Sequence, residues 1–360
     1  MSKILSIGTA VPEYKHNQAD ILDFMQRVYA PDEAGRRKLK FLYHKAGIET
    51  RYSAIPDYSL PAANWEFYPA SENLEPFPAL EQRMKWYQQH AAALSMQAIA
   101  QCVENFPERK ITHLITVSCT GMSAPGLDIE LMELLQLAPT TFRTSVNFMG
   151  CYAAIQALKI ADAFCKADKN ATVLIICTEL CTLHFQKENT IDNITSSMLF
   201  SDGAAAVLVT GNEENEGLTI GNFYSTVAAK GKKDMAWELS SKGFLMTLSS
   251  YVADMIEENF DQLVQDGLKA AGMHKEEISH WCIHPGGTKI LEAVHKSLGF
   301  TNGQLDGCYD ILRNYGNMSS PTVLFVLQQI MRTMDKKESN KIFSAAFGPG
   351  LTMETVILTS

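Results

Sequence analysis

The chain has 360 residues, 46% of them hydrophobic and 20% charged, and a formal net charge of −9. That is enough apolar material for two domains or one large duplicated one, and the acidic balance, without long clusters of lysine and arginine, argues against nucleic acid or an anionic membrane as partner. Eight cysteines are too sparse for a disulfide scaffold and fit a reducing cytoplasm.

The amino terminus, MSKILSIGTAVPEY, runs directly into a short apolar stretch and a Gly/Pro turn, which is not the pattern of a signal peptide. No apolar run approaches the ~20 residues that span a bilayer. KILSIGTAVP reads as a first strand and turn, and NQADILDFMQRVY as a helix opening near Asn17 or Asp20. The stretch RRKLKFLYHKAG follows as a basic helix with Lys38, Lys40 and Lys45; such a helix is either a solvated face or a site for a phosphate-bearing ligand at a cleft mouth. Residues 53–80, rich in Pro, Ser, Ala and aromatics without clear periodicity, read as an ordered excursion over the surface.

From residue 86 helices and strands alternate: WYQQHAAALSMQAIAQCVENF as helix, ITHLITVSCTG as a buried strand, LDIELMELLQL as helix, ATVLIICTEL as a second buried strand, and FSDGAAAVLVTG as two short strands around a small-residue turn. Strands apolar throughout, alternating with helices, predict a parallel sheet covered on both faces. The second half repeats the first. ISHWCIHPGGT starts 167 positions after ITHLITVSCTG, and NYGN lies 167 positions after NFMG. Helical stretches at 86–106 and 247–272 precede the matching strands, and IFSAAFGPGLTMETVILT closes the second half as SDGAAAVLV closes the first. The expected fold is a duplicated α/β unit whose two halves pack with their equivalent helix N-termini facing one cleft.

The chemistry gathers on three residues. Cys151, between Gly150 and a helix apolar on most sides, is either a small buried hydrophobe or a nucleophile whose thiolate is favoured by the helix N-terminus. His284 ends a buried strand before Pro285, Gly286 and Gly287, and Asn317 sits in a glycine-flanked turn before a helix. Brought together at the strand ends, they would form a nucleophile, a base and an amide donor for a developing oxyanion. Asp202 reads as a turn-former without catalytic role. Cys177, Cys181 and His184 have a spacing reminiscent of zinc ligation, but no fourth ligand is evident and Cys177 is on an apolar strand, so no metal is expected.

Four motifs in order, GCYA at Gly150 to Ala153, WCIHPGG at Trp281 to Gly287, YGNMSS at Tyr315 to Ser320 and FGPGL at Phe347 to Leu351, make the whole chain resemble the chalcone-synthase-like family, the type III polyketide synthases. The resemblance implies an α/β fold of the thiolase-like, duplicated αβαβα layered kind and a homodimer. Residues 1–220 would form the half carrying the nucleophile, and 221–360 the half carrying the histidine and asparagine. It implies that Cys151 takes an acyl group from an acyl-CoA starter, that His284 and Asn317 hold the enolate left when malonyl-CoA loses CO2, and that no metal, redox cofactor or carrier protein is required. Phe200 would be a gatekeeper, Lys38 and Lys45 would meet CoA phosphates with Gly286 and Gly287 beside them, and Ser319 with Phe347, Gly348 and Pro349 would shape the cavity.

The chain departs from the plant members of that family at several matched positions. Phe41 stands at a third basic position, with Lys40 as a neighbouring substitute. Met246 replaces a second gatekeeper phenylalanine, Trp237 a cavity glycine, Cys119 and His184 threonines, and Ala124 a methionine that reaches across the dimer. These changes predict a bacterial-type enzyme making a pyrone, resorcinol, phloroglucinol or naphthalene-type product rather than chalcone. The rivals are a β-ketoacyl carrier-protein synthase III-like single condensation, against which FGPGL and GNMSS speak, and an inactive paralogue acting as a binding protein, against which the intact triad speaks.

Overall fold

The computed structural model describes every residue except Pro31, Glu72, residues 107–109, Ser250 and Asn302. In chain order the first half contains β1 (Lys3–Ala10), β2 (Tyr14–Asn17), α1 (Gln18–Tyr29), α2 (Glu33–Lys45), β3 (Thr50–Ser53), α3 (Leu80–Val103), β4 (His113–Ser118), α4 (Leu127–Leu134), β5 (Phe142–Asn147), α5 (Ala153–Ala167), β6 (Thr172–Leu180), α6 (Ile191–Leu199) and β7 (Asp202–Thr210). The second half contains β8 (Leu218–Val227), β9 (Met235–Ser240), β10 (Gly243–Leu248), α7 (Tyr251–Ala271), β11 (His280–Ile283), α8 (Thr288–Ser297), α9 (Asp306–Tyr315), α10 (Pro321–Thr333), β12 (Lys341–Gly348) and β13 (Thr352–Thr359). The boundary expected at residue 220 falls within β8. The helix expected over 247–272 begins at Tyr251, with 246–248 still in β10 and position 250 outside the described residues.

Nine strands form one sheet in the order β11-β12-β13-β8-β1-β7-β6-β4-β5. The sheet is mixed, not parallel as the strand–helix alternation predicts. Only the β4–β5, β4–β6 and β11–β12 pairs run parallel, and the other pairs are antiparallel. An apolar run reports that both faces of a strand are covered, and that holds for either direction. On β6, Val173, Ile175 and Cys177 enter one core, while Leu174, Ile176 and Leu180 enter another. SDGAAAVLV is likewise one continuous strand, β7, rather than two. Its small residues mark a close approach: a Cβ on Gly203 would lie 2.4 Å from the sulfur of Met318.

The duplication is visible in the pairing. β4, β6, β7 and β1 on one side repeat as β11, β12, β13 and β8 on the other, each set with one parallel pair followed by two antiparallel ones. α5 precedes β6 as α10 precedes β12, and each of these helices packs on strands of both halves. They therefore form a central layer between the half-sheets, and the segments that lead into them meet. Residues 53–80, residue 72 apart, form the ordered excursion expected. Asp57 accepts three backbone N–H groups, from Glu66, Phe67 and Tyr68, and Tyr58, Phe67 and Tyr68 are buried among aromatic neighbours. No helix among the described residues is long and apolar enough to cross a membrane.

Candidate active site

Cys151 lies in a single 3-10 turn, Gly150–Tyr152, that feeds α5. The turn requires glycine at 150: φ is +74°, and a Cβ there would be 2.4 Å from Cδ of Pro349. Pro349 and Gly348 thus pack against the nucleophile turn, Gly348 so closely to the Tyr152 ring that a Cβ would come within 2.4 Å. Phe347 is buried in the core, edge to face with Phe260.

Asn317 enters from the opposite helix, in the turn before α10. Its amide is fixed at both ends. Nδ2 donates to the Gly286 carbonyl at 3.1 Å, and Oδ1 accepts the Ser319 N–H at 2.8 Å. The Cys151 thiol stands 4.0 Å from the same Oδ1. One N–H of the Nδ2 group remains for a ligand after the Gly286 bond. His284 follows β11, its N–H donating to Ala345 O at 2.8 Å. Its imidazole is 1% exposed, and neither ring nitrogen has a protein partner. A buried histidine in a merely structural role is hydrogen-bonded; this one is left open on both nitrogens. The Asn317–Gly286 bond ties its loop to the nucleophile side.

Burial opposes the thiolate that the helix N-terminus favours. It pushes the Cys151 thiol up to about 11, with the Ser319 and Asn317 side chains opposing the shift and the Glu179 charge adding to it. Burial lowers His284 to about 3. Both costs come from taking charge out of water.

Glu179 carried no signal in the sequence reading beyond being a lone carboxylate at the end of an apolar run. It is fully buried on β6 and accepts from Cys119 N at 2.9 Å, Thr120 Oγ1 at 2.7 Å and Ser320 Oγ at 2.8 Å, which joins the loop after β4 to the start of α10. Cys119 and Ser319 stand beside the nucleophile, 3.4 Å apart through Sγ and Oγ. Burial raises the Cys119 thiol well above its ordinary value. Asp202, expected as a turn residue, is instead a buried anchor at the start of β7. It accepts from Ala54 N, Thr182 N and Thr182 Oγ1 at 2.7–2.8 Å, because three donors of neighbouring loops converge where the strand begins.

Beyond Phe200 is a small cavity of about 40 Å³, whose wall includes Phe200, Met246, Trp237 and His184. Two of these are fixed. Trp237 Nε1 donates to Cys119 O at 2.7 Å. His184 donates from Nε2 to Thr120 O at 2.8 Å, accepts the Phe244 N–H at Nδ1, and stacks on the Phe244 ring at 4.2 Å. With both ring nitrogens taken by backbone, His184 has no lone pair for a metal, and no group of side chains that could hold a metal ion is found among the described residues.

Lys38 and Lys45 lie exposed on α2. Lys45 Nζ sits 4.8 Å over the Phe41 ring, so Phe41 supports the lysine rather than supplying charge. The end of α2 reaches the glycine loop, where Thr288 Oγ1 donates to Ala46 O at 2.7 Å, just after Gly286 and Gly287.

Residues 1–213 match the family model for the N-terminal domain of chalcone and stilbene synthases, and residues 223–360 match that for the C-terminal domain. The chain is 28% identical over 365 residues to the alpha-pyrone synthesis polyketide synthase-like Pks18 of Mycobacterium tuberculosis, covering 98% of this chain and 90% of that one. Its structure superposes with a TM-score of 0.91 on PKS-I of the brown alga Ectocarpus siliculosus, at 26% identity, covering 100% of this chain and 98% of the other. The same TM-score and identity hold for the C-terminal type III polyketide synthase domain of Steely1, a type I/III hybrid from Dictyostelium, with 100% and 99% coverage.

Proposed function

The chain belongs to the chalcone and stilbene synthase family, the type III polyketide synthases of thiolase-like fold, and from that premise we propose that it loads an acyl-CoA starter on Cys151 and extends it with malonyl-CoA. The observation that carries the reading is the juxtaposition of the Cys151 thiol and the Asn317 amide, which is bonded to the loop two residues after His284, a histidine whose ring nitrogens both lack a protein partner.

His284 acts as general base for the attack. The Cys151 sulfur bonds to the starter's thioester carbon as the thiol proton moves to imidazole. The tetrahedral adduct collapses, and CoA leaves with that proton. Malonyl-CoA then loses CO2, the pair from the broken C–C bond becoming an enolate whose oxygen is held by Asn317 Nδ2–H and the imidazole. The enolate carbon attacks the acyl carbon and the C–S bond breaks, expelling Cys151 as thiolate, which takes a proton from water; the product is a CoA thioester two carbons longer. Phe200 places an apolar wall near the malonyl carboxylate and favours the neutral CO2 over the anion. As written, the sequence of steps needs no metal or redox cofactor.

Lys38 and Lys45 at the end of α2 carry the CoA phosphates, with Gly286 and Gly287 lining the approach; the link from Thr288 to Ala46 supports this placement. Homodimer formation through β5 is supported by its place at the sheet's edge and by Phe142, 68% exposed. The eight free thiols support a cytoplasmic setting. We assign a pyrone, resorcinol, phloroglucinol or naphthalene-type product, since Trp237 and His184 narrow the space nearest Cys119.

Incubation with malonyl-CoA and a ladder of starters, from acetyl to long-chain and aromatic acyl-CoAs, tests the reading by mass. Products of two or more extensions support it. A single condensation onto carrier-bound malonate would favour the β-ketoacyl synthase III-like alternative, and absence of any acyl mass shift on the protein would favour a binding protein.

A further inference from the structure

Helix α2 concentrates positive charge on a chain whose net charge is −9. Arg36, Arg37, Lys38, Lys40 and Lys45 are all exposed on it, and Phe41 among them is 57% exposed. Among the described residues none of these cations forms an ion pair, although Glu33 stands one turn before Arg36 and Arg37. A helix face that serves only solvation interleaves its signs at i, i+4 and pairs them; this face leaves its cations open.

The cations form two sets. At roughly 100° per residue, Lys38 and Lys45 lie about 20° apart around the helix axis, on the edge given above to the CoA phosphates. Arg36, Lys40 and Arg37 lie on the far side of Phe41, with Lys40 turned roughly 140° from Lys45. A ligand seated on one set is therefore on the opposite flank from the other, and Lys40 joins the arginines rather than the phosphate pair. The helix also ends at the entrance, where Ala46 O accepts from Thr288 Oγ1 beside Gly286 and Gly287.

The occupant of the arginine flank has to be acidic and small. A bilayer or a nucleic-acid duplex is anionic over a wide surface, and beyond this helix it would meet acid: Asp23 is exposed one turn before Gln26, whose Nε2 donates to Arg36 O at 3.2 Å, and the chain as a whole is negative. An acidic helical protein can lie along the ~20 Å of α2 alone, and Phe41 between cations suits a partner helix whose carboxylates flank an apolar residue. The chemistry at the entrance narrows the choice. CoA ends in a phosphopantetheine thioester, and an acyl carrier protein presents its cargo on that same arm.

We propose that, given the acyl-loading role of Cys151 on which this rests, α2 is the docking face of a small acidic acyl carrier protein that delivers the starter on its phosphopantetheine arm. Delivery is a thioester exchange. The bond from Cys151 Sγ to the acyl carbon forms, the bond from that carbon to the arm's sulfur breaks, and the thiol proton of Cys151 ends on the departing sulfur.

The test offers acyl groups from acetyl to hexadecanoyl as CoA thioesters, as pantetheine thioesters and on a bacterial fatty-acid-synthase carrier protein, and follows acylation of Cys151 by intact mass. For at least one acyl group the carrier-bound form should exceed the pantetheine form in kcat/KM about tenfold or more, and fall steeply as salt is raised. The double variant Arg36→Glu, Arg37→Glu should lose that advantage while its rates with acyl-CoA and acyl-pantetheine stay within about twofold of wild type, which also shows that it is folded. Carrier-bound groups that load no faster than the pantetheine thioesters would overturn the proposal, as would an advantage that survives the charge reversal or a variant that loses acyl-CoA and carrier transfer equally. Loading from CoA without a carrier advantage removes this inference alone, whereas no acyl-enzyme from any donor removes the loading role with it.

Discussion

Phe200 and Asn317 form a two-residue parallel bridge: Asn317 N–H donates to Leu199 O, and Ser201 N–H to Asn317 O, each at 2.9 Å. The wall that would face the malonyl carboxylate and the amide that would hold the enolate are thus one backbone unit. Replacing Asn317 by Ala removes the amide donor without breaking that bridge. Decarboxylation of malonyl-CoA should fall about 10²- to 10³-fold, while acylation of Cys151, followed by mass, persists. Equal loss of both would place Asn317 in loading instead.

Cys151→Ala should abolish polyketide formation and spare slow decarboxylation, since the proposed enolate would still be held by the other two residues. If condensation survived, Cys119, beside Ser319, would be the next nucleophile to examine.

The raised Cys151 thiol fixes a pH signature. With its pKa near 11, the thiolate fraction at neutral pH is small and grows tenfold per unit, so alkylation of the free enzyme by iodoacetamide should climb steadily from pH 6 to 10. A plateau between pH 6 and 8 would reveal a preformed thiolate–imidazolium pair.

Three buried histidines are depressed below the ordinary value of 6.5 by desolvation, His16 to about 4 and His184 and His284 to about 3. Below pH 6.5 the unfolded chain binds protons at these sites that the folded chain does not, so stability is lost as pH falls from about 6.5 toward 4. Asp202, raised to about 6, acts in the opposite direction between pH 4 and 6, as do Asp57 and Glu179, also raised by burial; His90, His113 and His280, lowered too, leave the histidines ahead by number. Thermal melts across this range should show Tm falling with acidity; a flat profile would mean that the imidazoles protonate without unfolding.

Gly150→Ala places a Cβ at positive φ and into the Pro349 ring. A cost of about 2 kcal/mol or more, with loss of acyl loading, is expected by denaturant melt and mass analysis. Wild-type stability in the variant would show that the FGPGL loop yields.

Trp237→Gly removes the indole bonded to Cys119 O and should broaden the starters accepted. An unchanged profile would mean that this wall does not limit chain entry.

The sequence alone determined the duplication, because repeated motifs at one offset require repeated units. It also marked Cys151, His284 and Asn317 as candidates, because glycines and strand ends are where backbone and ligand approach, and the fold brings Cys151 Sγ within 4.0 Å of Asn317 Oδ1. It left strand direction open, since burial on both faces reads the same in parallel and antiparallel pairs. It left Glu179 unmarked, since a single charge in an apolar segment has no pattern. The burial that works against a Cys151 thiolate was visible only in the tertiary structure: a helix start speaks for thiolate, while the depth to which the folded halves bury the sulfur beside Glu179 raises the thiol. The location of the free space was decided the same way. Trp237 and His184 occupy positions near Cys119 by bonds to residues more than a hundred and more than sixty positions away, and the cavity lies where those tethers leave room, between α1 and α6.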